Sequence, residues 1–334
     1  MILPTRVFRQ IACILVLLMG MSSGALAQGQ LEGTLIVLNK QGHDASFIDL
    51  ASGNLVTTLP TGRGPHELIA TRDGRWAIGT DYSGGDSLTV FQVSGPGVAG
   101  TIDLSATPRP HGIVFLPGEN EVVVTSEASS NLVVVDYRSG EVVRVIDTTQ
   151  SGSHMVAITA DGSTAVTSNM GDDSVSVIDI RDGTVRHILD VPDRPEAITI
   201  SRQGHQVWVG SNDEGVVSVL DTNSGELLAQ WQGFNWPYRI LLDADERLAV
   251  IPDLGNETLR FFDARTFTEI ASMDFAGQAP QGVIWHPNNQ VLFLSLAGAD
   301  KVVAIDTGSR SVIAEYNTGN SPDGLALSAI QLQR

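Results

Sequence analysis

A proline that opens an alternating apolar strand recurs at Pro65, Pro110, Pro195, Pro237, Pro280 and Pro322, and Ser153 holds the missing place. The steps between these positions are 45, 43, 42, 42, 43 and 42 residues. Self-similarity at a nearly fixed step of this size restricts a chain to repeat architectures, in which each unit buries its apolar face against its neighbours. A second marker keeps the same step. It is an apolar strand ending in aspartate, at Asp49, Asp136, Asp179, Asp221, Asp263 and Asp306, with Val90-Phe91 filling the seventh place without the acid.

Within one period the side chains alternate with a period of two, and turn residues interrupt them three times. In the fourth repeat the pattern predicts strand a over Met155–Thr159, strand b over Thr164–Ser168, strand c over Ser174–Asp179 and strand d over Thr184–Leu189, with turns at Asp161-Gly162 and Asp182-Gly183. Four short antiparallel strands in roughly 40 to 45 residues is a propeller blade. A β-helix or a sandwich would show a different period, and no convincing helical period follows residue 27. The expected fold is therefore all-β, one seven-bladed propeller domain over residues 28–334. The chain should close its ring by pairing a C-terminal strand a, Pro322–Leu327, with strands b to d from the N-terminus, beginning at Leu35–Leu38.

Segments such as Asp173-Ser174-Val175-Ser176-Val177-Ile178-Asp179 and Gly64-Pro65-His66-Glu67-Leu68 resemble the YVTN propeller repeat. The resemblance covers essentially the whole expected domain. It implies the fold strongly and the function weakly, because such discs serve many roles. One role it implies is a binding module for another extracytoplasmic protein or a small ligand. Similar propellers also include lyases and lactone-forming enzymes that use channel histidines and carboxylates.

The first 27 residues read as a signal peptide: Arg6 and Arg9, an apolar run from Ile11 to Met21, then Ala25-Leu26-Ala27 before Gln28. A periplasmic or secreted protein is expected, with no membrane insertion after cleavage. The single cysteine, Cys13, lies within that leader, so disulfides and thiol chemistry are excluded from the mature chain. Removing Arg6 and Arg9 takes Lys plus Arg from 20 to 18 against 38 acids, a net charge of 18 − 38, or −20. Such a surface repels nucleic acid and anionic lipid, keeps the protein soluble and favours cations. A monomer is expected.

Strand a is innermost in a blade, so the residue after each proline stands at one mouth of the channel. Those residues are His66, His111, His154, Glu196, Tyr238, Gln281 and Asp323. His43 should share this mouth, whereas His187, His205 and His286 fall on an outer strand, the opposite mouth and the far end of strand a. The end of strand b is Asn in the repeat, kept at Asn39, Asn169 and Asn212 and replaced by Asp81, Glu127 and Asp253. Imidazoles beside carboxylates are the donor set of a divalent transition metal such as zinc, iron, manganese or copper. The expected metal set is His66, His111, His154, Glu127 and Asp81, the carboxylates serving either as ligands or as partners that orient the histidines. Tandem duplication alone can also produce three symmetric histidines.

The loop Phe234-Asn235-Trp236-Pro237-Tyr238-Arg239 gathers aromatics and a cation on the same mouth. With Glu196, Gln281 and Asp323, residues Trp236, Tyr238 and Arg239 are the expected ligand contacts, Arg239 anchoring a carboxylate. The strand-end aspartates and the Asp-Gly pairs read as turn structure. No phosphate loop, nucleophile elbow or Cys-x-x-Cys occurs. Two functions remain open: a ligand- or protein-binding module, and a metal-dependent lyase, isomerase or hydrolase acting on a small organic acid.

Overall fold

In the computed structural model, which describes residues 31–332, seven four-stranded antiparallel sheets stand in a ring. Alternation of branched apolar and polar residues makes each strand, and turn residues end it. Blade 1 combines Thr34–Asn39, Asp44–Asp49 and Leu55–Pro60 with the C-terminal strand Pro322–Ser328. Blades 2 to 7 follow in chain order over 65–103, 110–147, 153–190, 195–231, 237–274 and 280–317. The predicted closure holds, with Leu35 opposite Leu327 and Val37 opposite Leu325. The expected leader, residues 1–27, lies outside the described residues.

Seven apolar clusters fill the seven interfaces between neighbouring blades. Each draws aliphatic and aromatic side chains from two blades, so no blade buries its faces alone. The strand-end aspartates are structural as expected. Asp136, Asp179, Asp221 and Asp263 each accept two backbone N–H groups of the following turn, and Asp49 and Asp306 each accept one.

The marker proline, or Ser153, sits opposite the last residue of strand b in every blade: Pro65 with Asp81, Pro110 with Ser126, Ser153 with Asn169, Pro195 with Ser211, Pro237 with Asp253, Pro280 with Leu296 and Pro322 with Asn39. The residue just before it is left-handed in all seven: Gly64, Arg109, Gly152, Arg194, Trp236, Ala279 and Ser321, with φ from 50° to 111°. That kink swings the chain from the outer strand into the channel. Five of the seven are not glycine, which signals a conformation enforced by its surroundings. An extra residue follows the proline in six blades, a bulge that re-aims the next two side chains. Blade 6 departs from the pattern. Its strand a shrinks to Leu241–Leu242, because the loop through Trp236 stays irregular.

The channel is consequently layered. The residue after the proline forms a polar ring. The next position carries Glu67, Gly112, Met155, Ala197, Arg239, Gly282 and Gly324, and the one after that is aliphatic in every blade: Leu68, Ile113, Val156, Ile198, Ile240, Val283 and Leu325. Glycine is needed in the middle layer, where inner strands crowd together. A Cβ on Gly282 would lie 2.0 Å from the Asp323 carbonyl oxygen, and one on Gly324 would lie 2.2 Å from that of His66.

Candidate active site at the channel mouth

The expected ring assembles at one mouth. His111 and His154 stack with centroids 3.7 Å apart, and His66 lies 5.3 Å from His111. Tyr82 packs edge-on against all three rings, at 4.8 Å from His66, 4.5 Å from His111 and 5.7 Å from His154. His154 Nδ1–H donates to Glu127 Oε2 over 2.7 Å, and the same oxygen accepts the Tyr82 hydroxyl at 2.6 Å. Arg109 completes this corner, 3.0 Å from Glu127 Oε1 and 2.5 Å from the Tyr82 oxygen.

On the far side of His154, its Nε2 faces Glu196 Oε1 at 3.9 Å. Asn212 and the Trp236 indole both donate to Glu196 Oε2, at 2.6 and 2.9 Å, and Arg239 stands 3.6 Å from Oε1. A third group closes the ring. Lys40 donates to Gln281 at 2.5 Å and lies 3.3 Å from both Asp323 Oδ2 and the Tyr238 hydroxyl, while that hydroxyl donates to Asp323 over 2.8 Å. Beneath them Arg239 stacks on Tyr238 and reaches across the channel to an ion pair with Glu67.

These contacts set the protonation states. Burial pulls the His66 imidazole down to about 4, helped by Lys40 and Arg239 against the opposing charge of Asp323. Burial likewise holds His111 well below its ordinary value, and the neighbouring His154 and His66 add to the effect. Both rings are neutral near pH 7. Burial works to raise Glu127, but the bonds from His154 and Tyr82 and the charge of Arg109 outweigh it and leave the carboxyl low. Asp323 follows the same logic, with Lys40, Arg239 and His66 overcoming its burial. Glu67 is pushed up by burial despite the Arg239 guanidinium beside it. Three deeply buried atoms of the site, His111 Nδ1, Asn212 Oδ1 and Asp323 Oδ1, have no hydrogen-bond partner in the protein.

Of the donor set expected for a metal, the three imidazoles and Glu127 come together at the mouth. The rings pack against one another, and the Nδ1 atoms of His154 and His66 are engaged by Glu127 and by the Gly64 carbonyl. Among the described residues no three His, Cys, Asp or Glu side chains are placed to hold a metal ion. Asp81 accepts from Ser87 and Thr89 and braces the Gly62 loop, so it bonds to none of the histidines. Glu127 and Asn212, expected at the end of strand b, lie one residue beyond it, in register with Lys40 and Tyr82. The true strand-end residues brace neighbouring structure: Asn39 accepts the Gly319 N–H, Ser126 donates to the Pro108 carbonyl, and Asn169 donates to Ser176 on the adjoining strand. The following position faces the site.

Of the expected ligand contacts, Glu196, Tyr238, Arg239, Gln281 and Asp323 all converge here, and Trp236 remains the exposed rim residue. Arg239 differs from expectation in that carboxylates of this chain already compensate its charge. Phe234 turns into the core, with Arg260 stacked on it. His43 accepts the Gly64 N–H at the rim. Lys40, Tyr82, Arg109 and Glu67 were not expected. The one sequence signal for Glu67 and Arg239 is that they are the only charged residues in a layer otherwise made of Gly, Ala and Met.

The chain is a seven-bladed propeller with imidazoles, carboxylates and cations gathered in one mouth of its channel. The chain belongs to the lactonase family of seven-bladed β-propellers, whose description, "Lactonase, 7-bladed beta-propeller", matches residues 40–241, well over half its length. It is also similar in structure to a functionally unknown protein from Desulfotomaculum acetoxidans, with 15% identity, a TM-score of 0.74, and 90% of this chain and 100% of that chain covered. A protein from Lactobacillus plantarum shows 15% identity and a TM-score of 0.72, with 89% and 99% covered. At that identity the likeness concerns the fold. No curated protein matches the sequence.

Proposed function

We propose that the mouth is a hydrolytic site that opens a lactone of a small organic acid, with His154 as general base. The observation that carries this reading is the 2.7 Å bond between His154 Nδ1 and Glu127. It fixes the tautomer with its proton on Nδ1 and leaves the Nε2 lone pair free, the geometry of an oriented imidazole base. Nε2 would take a proton from water as the water oxygen bonds to the lactone carbonyl carbon. The ring C–O bond then breaks, and the imidazolium returns the proton to the leaving ring oxygen, giving a hydroxy acid. Glu127 and Glu196 flank the imidazolium that forms in between. Lys40, in the polar ring itself, supplies the positive charge nearest to negative charge developing on the substrate. The family match supports a hydrolase, and the repeat's YVTN character adds the fold rather than the chemistry. The site is proposed to work outside the cytoplasm, as the leader-like first 27 residues suggest.

The test is acid release, followed by pH-stat, from unsubstituted γ- and δ-lactones by the parent, His154→Gln and Glu127→Gln proteins. Turnover in the parent that collapses in both variants is expected. A folded parent that opens no lactone, or a His154→Gln protein that keeps full turnover, would sink the proposal. The exposed Trp236 edge beside Glu196 would then favour the binding-module reading.

A further inference from the structure

Below the mouth the channel changes character. A cavity of about 330 Å³ begins under the Glu67–Arg239 pair, which forms its roof, and none of the polar ring above the pair lines it. Apart from these two residues and the hydroxyl of Thr199, every side chain on its wall is hydrocarbon or the Met155 thioether. The aliphatic layer, one residue per blade, forms the middle of the wall, and Val114, Ala157, Leu241 and Ile284 continue it downward. The volume falls within the range of small-molecule sites, about 300 to 1,000 Å³. A cavity so lined offers water few partners and gains free energy when hydrocarbon fills it.

We propose that this chamber is a binding site for an unbranched alkyl chain carried by the ligand whose polar head occupies the mouth. The preferred substrate class is then an alkyl-substituted lactone rather than a polyhydroxylated one. The lactone part rests on the hydrolase reading above, but the chamber does not. Glu67 and Arg239 stand at the boundary, where their charged ends face the head group and their methylene stems continue the apolar wall. Head and tail lie along one axis on either side of the Glu67–Arg239 pair, so one ligand occupies both only when that pair parts.

The test is calorimetric titration of the parent with hexanoate, octanoate and decanoate, which are not substrates and report the chamber alone. Affinity should rise about fourfold per added methylene, as expected when each leaves water for a hydrocarbon wall. Ala157→Leu and Ile198→Phe reduce the chamber volume from two neighbouring blades, and either should abolish the dependence on chain length while circular dichroism stays that of the parent. If neither variant folds, the parent series alone decides. Affinity independent of chain length, or a dependence that persists in both folded variants, overturns the proposal. A chain-length dependence with no lactone opened keeps the chamber and rejects the enzyme; lactones opened without regard to alkyl length do the reverse.

Discussion

His154 Nδ1 and Glu127 Oε2 lie 2.7 Å apart across the boundary between blades 4 and 3, so neither blade alone holds the base in position. Glu127→Gln keeps the shape and removes the charge that stabilises the imidazolium. We expect kcat for lactone opening to fall about 10²- to 10⁴-fold with KM changed little. Because Glu127 lies below its ordinary carboxyl range when folded, the stability it confers is full above about pH 4.5 and fades as pH falls further. Urea melts at descending pH should show a shallower acid limb in Glu127→Gln.

His66 titrates in the opposite sense to a paired histidine. The unfolded chain binds its proton near 6.5 and the folded protein only near 4, so protonation favours unfolding. Its contribution is complete above about pH 6.5 and is lost as pH falls toward 4. The difference amounts to about 3 kcal/mol over the full span. The parent should lose about 2 kcal/mol between about pH 7.5 and 5 from this group. His66→Gln should lose correspondingly less in paired urea titrations, and an equal loss in both proteins would remove His66 as the cause.

Arg239 and Glu67 pair from blades 6 and 2, on opposite sides of the channel and 172 residues apart. Removing one partner strands a buried charge, so Arg239→Met or Glu67→Leu alone should cost about 3–5 kcal/mol. The double variant should recover most of that loss, because apolar side chains there extend the hydrocarbon wall below. A denaturation cycle of the four proteins measures the coupling, and strictly additive losses would mean that the pair does not interact.

Sequence pattern reaches the ring but not the links across it. The seven prolines fix the blades because strand alternation and turn chemistry are local, and the same period places His66, His111, His154, Glu196, Tyr238, Gln281 and Asp323 on one mouth. The register at the end of strand b is harder to read. Asn39 and Ser126 brace loops equally well, so Glu127 and Asn212 look like strand ends when they are the next residue, and Tyr82 and Lys40 escape notice. The left-handed residues before the prolines carry no consistent signal, since Arg109, Arg194, Trp236, Ala279 and Ser321 owe that conformation to tertiary packing. The arrangement of the histidines is legible only as proximity. Equal spacing along the chain places the imidazoles side by side, while their stacking and the bonds at Nδ1 come from neighbouring blades.

The crowding of the inner strands gives the sharpest steric prediction. Gly324 has no left-handed backbone that alanine would strain, so any cost of Gly324→Ala must come from its methyl, which would meet the His66 carbonyl oxygen at 2.2 Å. That oxygen belongs to the neighbouring blade's backbone and cannot swing aside as a side chain would. We expect a loss of about 1–3 kcal/mol by chemical denaturation, with His66 displaced and lactone opening reduced. Gly100 is the internal control, since a Cβ there would meet nothing within 4 Å. Gly100→Ala should be neutral or stabilise by about 0.4–1 kcal/mol through the unfolded chain. If both substitutions prove equally mild, the inner strands can spread at little cost, and the layered channel is softer than its packing implies.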